Sequence, residues 1–210
     1  MKFIRMPLGP LQTNGYLVHN EKDAVFIDPG AEGEKVITAI EEAGVTLQAV
    51  ILTHAHFDHI GGVERLVQHF DVPLYVHKEE AEWLKEPAKN GSSLFPGIEP
   101  ISVTWTPKLL SGEGEWKVGP FSFQMFETPG HSPGSISFYM SDENIIFSGD
   151  ILFQGGIGRT DLPGGSMDTL LSTIHSKLLT LPDETTVANG HGPTTTIGEE
   201  KEMNPFLNGF

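Results

Sequence analysis

Apolar residues follow two different spacings along this chain, and the two spacings alternate. Short, nearly continuous apolar runs are typical of buried strands, whereas apolar positions three or four residues apart are typical of amphipathic helices. In the first half, this pattern predicts strands over residues 3–6, 16–19, 24–28, 47–53 and 73–77. Between them it predicts helices over residues 34–43, 60–70 and 79–85.

The second half of the chain is richer in strands. Its apolar runs predict a helix over residues 167–179, and strands over residues 116–118, 121–127, 135–140, 144–148 and 185–188. Thr196, with Glu199 three residues later, predicts a capping box for a last short helix. Residues 86–98 are rich in Pro, Gly and Ser and show no period, so we expect a surface loop there, with a role as a flap over the functional site left open. This order of elements predicts an α/β fold in which two sheets pack together with helices outside.

The stretch from His54 to His59 carries the strongest chemical pattern. Its sequence, HAHFDH, places three imidazoles and one carboxylate directly after the apolar run 49–52. Alternate side chains of an extended segment share a face, so His54 and His56 can bind one ion together. Asp58 and His59 lie beyond the predicted strand end and can face a second ion. Imidazole suits zinc or iron and carboxylate suits harder cations, so the stretch predicts a metal site rather than a polar loop.

Three further segments share one arrangement: an apolar strand, then small residues, then a side chain that can bind a metal, namely His131, Asp150 and His191. The number of candidate ligands suits two divalent ions. Zinc is the expected metal, with iron or manganese as alternatives. Three imidazoles would hold the first ion: His54, His56 and His131. One carboxylate and two imidazoles would hold the second: Asp58, His59 and His191. Asp150 would bridge the two ions, and each ion keeps an open position for a shared water, as catalytic sites do.

Asp28 ends the predicted strand 24–28, on the side where we expect the ligands. Two roles stay open for this carboxylate. It can orient a ligand histidine from behind the metal site, or it can cap the turn before the predicted helix 34–43.

Composition narrows the classes of function. Asp and Glu outnumber Lys and Arg by 28 to 13, and the net charge of −15 disfavours nucleic acid and anionic membranes, whose binding depends on neutralising phosphates. The chain has no cysteine, which excludes disulfides, thiolate ligands and a catalytic thiol. No apolar run approaches the ~20 residues of a membrane span, and the N-terminus lacks the apolar stretch of a signal peptide. We expect a single domain over residues 1–210 and a cytoplasmic location.

Taken in order, these motifs resemble those of metallo-β-lactamase-fold hydrolases. The resemblance covers nearly the whole chain. It rests on four segments: His54-x-His56-x-Asp58-His59-x-Gly61-Gly62, Pro129-Gly130-His131, Ser148-Gly149-Asp150 and Gly190-His191. It implies a four-layer αβ/βα sandwich with the site at the sheet edges. Within this family, Asp150 stands where zinc β-lactamases carry a cysteine, which argues against β-lactam hydrolysis. His56 stands where flavodiiron proteins usually carry glutamate, which argues against electron transfer.

The chain is most similar to short bacterial glyoxalase II-like (hydroxyacylglutathione hydrolase-like) thioesterases. The segment Gly158-Arg159-Thr160-Asp161 and the tail after His191 support this resemblance. Arg159 falls where glyoxalase II has a lysine that contacts glutathione, although pairing with Asp161 would explain the same arginine. Full-length glyoxalase II has a C-terminal helical substrate domain; here 19 residues follow His191, so we expect no such domain.

The resemblance implies a dinuclear-metal hydrolase that cleaves a thioester of a low-molecular-weight thiol, such as S-lactoylglutathione, by attack of a metal-bound hydroxide. Asp58 and Asp150 would then act in catalysis as well as in metal binding. The alternatives are a mononuclear-iron persulfide dioxygenase on the same fold, another ester or lactone hydrolase, and a non-catalytic metal-binding protein. The expected partner is a small-molecule thioester, without nucleic acid or membrane, and the oligomeric state stays open.

Overall fold

The computed structural model describes residues 1–207, which form two compact units. The first unit comprises residues 1–110 with residues 118–121, and the second comprises residues 111–117 with the chain from residue 122 onward. Among the described residues, no helix is both long enough and apolar enough to cross a membrane. The single domain over residues 1–210 stays a prediction.

The first unit is built on a six-stranded sheet whose strands follow one another in chain order. The strands are β1 (Lys2–Leu8), β2 (Thr13–His19), β3 (Asp23–Ile27), β4 (Thr46–Ile51), β5 (Leu74–His77) and β6 (Lys108–Leu110). The pairs β1–β2 and β2–β3 are antiparallel, whereas β3 to β6 run parallel. Parallel strands need crossover connections, and helices supply the first two of these.

Three helices belong to this unit: α1 (Gly33–Ala43), α2 (Phe57–Ile60) and α3 (Val63–Phe70). Short 3-10 helices cover Lys78–Lys85 and Ser92–Leu94. The buried faces of α1 and α3 pack with the sheet in one apolar core that includes Ile40, Leu66, Phe26 and Val50. The predicted helix 60–70 is interrupted, because α2 ends at Ile60 and α3 begins only at Val63.

Most of the second unit is a mixed sheet with two helices. Its strands are β7 (Gly114–Val118), β8 (Phe121–Glu127), β9 (Ile136–Met140), β10 (Ile145–Gly149), β11 (Leu152–Phe153), β12 (Gly156–Ile157), β13 (Thr186–Asn189) and β14 (Thr195–Thr196). Six of them form a sheet in the order β14-β13-β10-β9-β8-β7, and β11 pairs with β12. Helix α4 (Met167–Ser176) packs on this sheet through Leu170 and Ile174. The last helix, α5 (Ile197–Met203), begins with a capping box formed by Thr196 and Glu199.

Strand direction places the candidate ligands at one edge of each sheet. In the first unit Ile27 of β3 lies opposite Ile51 of the parallel strand β4, so the segments that follow both strands leave the sheet at the same edge. In the second unit Gly149 of β10 lies opposite Asn189 of the parallel strand β13. Strand β8 runs in the same direction as β10, because both are antiparallel to β9. In each sheet, the candidate ligands that follow the strands therefore lie at one edge.

Candidate metal centre

The first-unit cluster consists of His54, His56, Asp58 and His59; the first two follow the end of β4, and the last two lie in helix α2. The three histidines are buried. The ligand atoms of His54 lie within 4.8 Å of those of His56 and of His59, and Asp58 Oδ2 is 3.7 Å from His59 Nε2. In this stretch, each of the imidazole nitrogens and the carboxylate oxygen therefore lies close to at least one other ligand atom.

Asp28 holds two of these imidazoles in place. Its buried carboxylate accepts hydrogen bonds from the Thr53 N–H (2.8 Å) and the Thr53 hydroxyl (2.6 Å). Asp28 Oδ2 also accepts from Nδ1 of His59 at 3.0 Å. Since the Thr53 hydroxyl donates to Asp28, it accepts from Nδ1 of His54 at 3.1 Å. With Nδ1 used in this way, Nε2 is the nitrogen of each ring that could bind a metal, an arrangement common behind metal-binding histidines.

Of the two roles left open for Asp28, the contacts describe the one that orients histidines. The N-cap residue of α1 is Glu32, not Asp28. Asp28 also adopts a left-handed backbone conformation, with φ of 52°, which is uncommon for a residue other than glycine. Such backbone conformations are costly, and they persist where surrounding contacts determine them.

Further contacts fix the loop of the first-unit cluster. The Thr13 hydroxyl donates to Asp58 Oδ2 at 2.8 Å. The fully buried Glu80 accepts the Ala55 N–H at 2.6 Å. The carbonyl of Asn90 accepts the Phe57 N–H at 2.9 Å. The sequence does not reveal the roles of Thr53, Glu80 and Asn90, because a buried polar residue that bonds a backbone group has no characteristic spacing.

Asn90 also anchors the segment predicted as a loop. Its side-chain amide donates to the carbonyls of Trp83 (3.0 Å) and Ile101 (2.9 Å), and its side-chain oxygen accepts the Ser92 N–H at 3.0 Å. The middle of this loop is therefore tied to both of its flanks, whereas residues 93–100 are mostly exposed.

Gly30 allows the segment after Asp28 to contact α2. A Cβ atom at Gly30 would lie 1.9 Å from the carbonyl oxygen of Asp58. No side chain fits at that distance, so this glycine is required by close backbone approach.

The second-unit cluster consists of His131, Asp150 and His191, which follow β8, β10 and β13. Asp150 Oδ2 lies 3.7 Å from Nε2 of His131 and 3.3 Å from Nε2 of His191. His131 is buried, whereas the side chain of His191 is 30% exposed. One carboxylate oxygen thus faces two imidazole nitrogens from different strands.

A backbone group orients His131. Its Nδ1 donates to the carbonyl of Arg159 at 2.8 Å, so its Nε2 is directed toward Asp150. The role predicted for Arg159 from the sequence concerned only its side chain. That guanidinium binds the Asp161 carboxylate through two hydrogen bonds of 2.7 Å. The hydrogen bond from Arg159 lowers the pKa of Asp161 to about 2, and both side chains are half-exposed or more.

Gly158 serves this cluster as Gly30 serves the first one. A Cβ atom at Gly158 would lie 1.9 Å from the carbonyl oxygen of Asp150 and 3.2 Å from His131 Nδ1. The segment that carries Arg159 therefore approaches the ligand loop only because this position has no side chain.

The donor chemistry of both clusters fits divalent metal ions. The first-unit cluster offers three imidazoles and one carboxylate, and the second-unit cluster offers two imidazoles and one carboxylate. Oxygen acceptors fix Nδ1 of His54, His59 and His131. Such sets suit zinc, iron or manganese and exclude ions that need thiolate.

Known proteins similar to this chain include metal-dependent hydrolases. A profile of the metallo-beta-lactamase superfamily matches residues 8–191. The probable metallo-hydrolase YqgX of Bacillus subtilis (strain 168) is 50% identical over 210 residues, which are 100% of this chain and 99% of that protein. Hydroxyacylglutathione hydrolase GloC of Haemophilus influenzae is 42% identical over 205 residues, which are 97% of this chain and 96% of that protein.

Solved structures agree with the relatives. The crystal structure of BLEG-1 B3 metallo-beta-lactamase has a TM-score of 0.96 at 50% identity and covers 99% of this chain and 100% of its own. TTHA1623 in a di-iron-bound form has a TM-score of 0.88 at 42% identity, covering 97% and 100%. ETHE1 from Myxococcus xanthus has a TM-score of 0.79 at 30% identity, covering 98% and 84%. These similarities confirm the predicted α/β fold class.

Proposed function

Because the chain belongs to the metallo-beta-lactamase superfamily, as a metallo-hydrolase, we propose that it hydrolyses a thioester of a low-molecular-weight thiol. The observation that carries this proposal is the 42% identity, over 97% of the chain, to a protein named hydroxyacylglutathione hydrolase. On this proposal the partner is a small-molecule thioester in the cytoplasm rather than nucleic acid or a membrane surface, in keeping with the net charge of −15.

Two ions would be held by the two clusters together. Three imidazoles are proposed for the first ion: His54, His56 and His131. A carboxylate and two imidazoles are proposed for the second: Asp58, His59 and His191. Asp150 is proposed to bridge, which is supported by the approach of one of its oxygens to two imidazoles. Zinc is the proposed metal, and iron is the first alternative because the similar TTHA1623 was crystallised in a di-iron-bound form.

Two bound divalent ions would supply an acidified water and a polarised acyl carbonyl. The side chains of the protein would do the rest. Asp58, held by the Thr13 hydroxyl, would accept the proton of the attacking water. Asp28 and the Arg159 carbonyl would keep His59 and His131 in the coordinating orientation. A leaving thiolate has a conjugate acid with a pKa of about 8.5, so it departs without a proton donor. This ease of departure favours thioesters over amides as substrates.

Arg159 is proposed to contact a carboxylate of the thiol carrier. Its guanidinium has five N–H donors, and two nitrogens are used by Asp161. Because the pair is exposed, a substrate carboxylate would compete with Asp161 for the same guanidinium at little cost.

The first test is release of free thiol from S-lactoylglutathione by zinc-loaded protein without oxygen, beside the variant Asp150→Ala. We expect release that depends on Asp150. Absence of release from this thioester and from thioesters of other low-molecular-weight thiols, with two metals bound, would overturn the proposal.

β-Lactam hydrolysis is the second candidate, although Asp150 argues against it within the family. The specific observation in its favour is the 50% identity to BLEG-1 B3 metallo-beta-lactamase. Hydrolysis of a chromogenic cephalosporin by the same preparation tests it. Oxygen consumption with glutathione persulfide and iron-loaded protein tests the dioxygenase alternative, and lactone opening tests the remaining hydrolase alternative.

A further inference from the structure

A cavity of about 270 Å³ lies in the first unit beside Asp58. The turn between β1 and β2 contributes Pro10 and Leu11 to its wall, and the beginning of α2 contributes Phe57. The loop before β6 contributes Ile98 and Ile101. The cavity therefore lies beside a candidate metal ligand. The proposed hydrolysis assigns no other role to the apolar side chains that line it.

The chemistry of this wall selects an apolar occupant. Leu8 and Phe57 form its buried part, and Leu11 and Ile98 form its more exposed part. The charged residues among those that line it, Asp58 and Glu99, are both acidic. Burial of a hydrocarbon chain against such a wall is favourable, because it removes apolar surface from water. A carboxylate would lose its hydration against this wall and would be repelled by Glu99.

The size of the cavity sets the size of its occupant. A dry cavity of about 150 Å³ lined by Leu, Ile and Phe holds a benzene molecule. A cavity of 270 Å³ therefore has room for a hydrocarbon chain of about six to eight carbons.

We propose that this cavity binds an apolar acyl chain of the substrate, so that the preferred thioester carries a medium-length hydrocarbon acyl group rather than a short hydroxyacyl group. This inference rests on the proposed function, in which Asp58 lies at the reacting carbonyl. Of the two halves of a thioester, the acyl half fits the wall. A thiol carrier such as glutathione bears two carboxylates, which would lose hydration against the apolar wall and would be repelled by Glu99.

The first experiment measures kcat/KM for the acetyl, butyryl, hexanoyl and lactoyl thioesters of glutathione. Each buried methylene gives about a fourfold gain, so partial burial of four methylenes predicts about a 10- to 100-fold preference for hexanoyl over acetyl. Lactoyl is expected to resemble acetyl. The variant Leu11→Ser removes one wall at a half-exposed turn position and should reduce the hexanoyl preference about tenfold. Leu109→Ser, at a 60% exposed leucine outside the cavity, is the matched control and should keep the preference.

The second experiment needs no turnover. Binding of 1-hexanol to the metal-loaded protein is followed by saturation-transfer NMR in the wild type and both serine variants. We expect binding in the wild type and Leu109→Ser, and a loss of at least about fivefold in affinity in Leu11→Ser.

The two experiments separate the two proposals. Hydrolysis at equal rates for all chain lengths, with no hexanol binding that depends on Leu11, would overturn the acyl-chain site and leave thioester hydrolysis standing. Hexanol binding that depends on Leu11, together with no hydrolysis of any thioester, would support the apolar site and overturn the proposed reaction.

Discussion

The two ligand clusters use the same side-chain types but are held in place by different means. In the first-unit cluster four donors lie within six residues, and the carboxylates of Asp28 and Glu80 support their loop. In the second-unit cluster three donors follow three separate strands, and a backbone carbonyl orients His131. Support by side chains can be removed by substitution, whereas support by backbone is insensitive to the identity of the residue that provides it.

Both clusters nevertheless depend on one glycine each. Gly30 and Gly158 both place the position of a Cβ atom 1.9 Å from the carbonyl oxygen of a candidate aspartate ligand. The two clusters therefore differ in the groups that orient their imidazoles. They agree in using a glycine to let a supporting loop approach closely.

The largest effect is expected when a ligand itself is removed. Asp150→Ala should lower turnover by at least about 100-fold, beyond the 10- to 100-fold range of residues behind the ligands. Asp58→Ala should do the same if the two clusters form one site. Thiol release and metal content measured on both variants, with circular dichroism as a folding control, check this. Full activity in either variant would contradict a joint site.

The next effect is on folding. Gly30→Ala and Gly158→Ala force a backbone shift and should each cost about 3 kcal/mol of unfolding free energy or more, which lowers Tm by roughly 6–12 °C in a protein of this size. Gly156→Ala is the matched control, since a Cβ atom there meets only Phe153 at 3.9 Å. Thermal unfolding of the three variants decides, and a Tm of Gly158→Ala equal to that of Gly156→Ala would argue against required close approach.

The contrast between side-chain and backbone support gives a third prediction. Asp28→Asn should weaken metal binding about 10- to 100-fold, because the amide is a neutral partner for His59. Arg159→Ala should leave metal affinity within about twofold, because the carbonyl that orients His131 remains. Competition with a chromogenic chelator measures both affinities.

Asp71→Asn controls for the Asp28 substitution, since Asp71 is an exposed aspartate with φ of 51°. Equal losses in Asp28→Asn and Arg159→Ala would remove the distinction between the two kinds of support.

The smallest effect is expected at the exposed pair of Arg159 and Asp161. The pKa of Asp161 is lowered from 3.8 to about 2, so the pair contributes stability above pH 4 that is lost as the pH falls through about 2. Asp161→Asn should lower Tm by no more than about 2 °C at pH 7, as expected for an exposed ion pair. The difference from the wild type should shrink as the pH falls through about 2 and vanish below it. A difference that persists there would point to a role for Asp161 other than this pair.

Much of the fold could be predicted from the sequence because its long elements carry clear patterns. The predicted strand 121–127 coincides with β8, and the predicted capping box at Thr196 is present. Strands β6, β11, β12 and β14 were missed, because two or three residues are too few to show an alternation.

The candidate site divides in the same way. The side-chain types and spacing of His54 to His59 predict a metal site from six consecutive residues alone. The choice between two roles for Asp28 could not be made from the sequence, because it depends on where His59 and Thr53 lie after β4 and α2 have formed. The carbonyl of Arg159 could not be found either, since every residue has one.

The dispersal of the second-unit cluster has a consequence for the unfolded chain. Ligands at residues 131, 150 and 191 enclose loops of 19 and 41 residues, whereas the first-unit ligands enclose almost none. The two proposed ions, joined through Asp150, would tie His131, Asp150 and His191 together, and they would restrict an unfolded chain that keeps them bound as a cross-link does. Closing a loop of about 40 residues is worth about 3–4 kcal/mol by the chain-entropy relation used for disulfides. In a chain with no cysteine, metal at these ligands would serve as its cross-link.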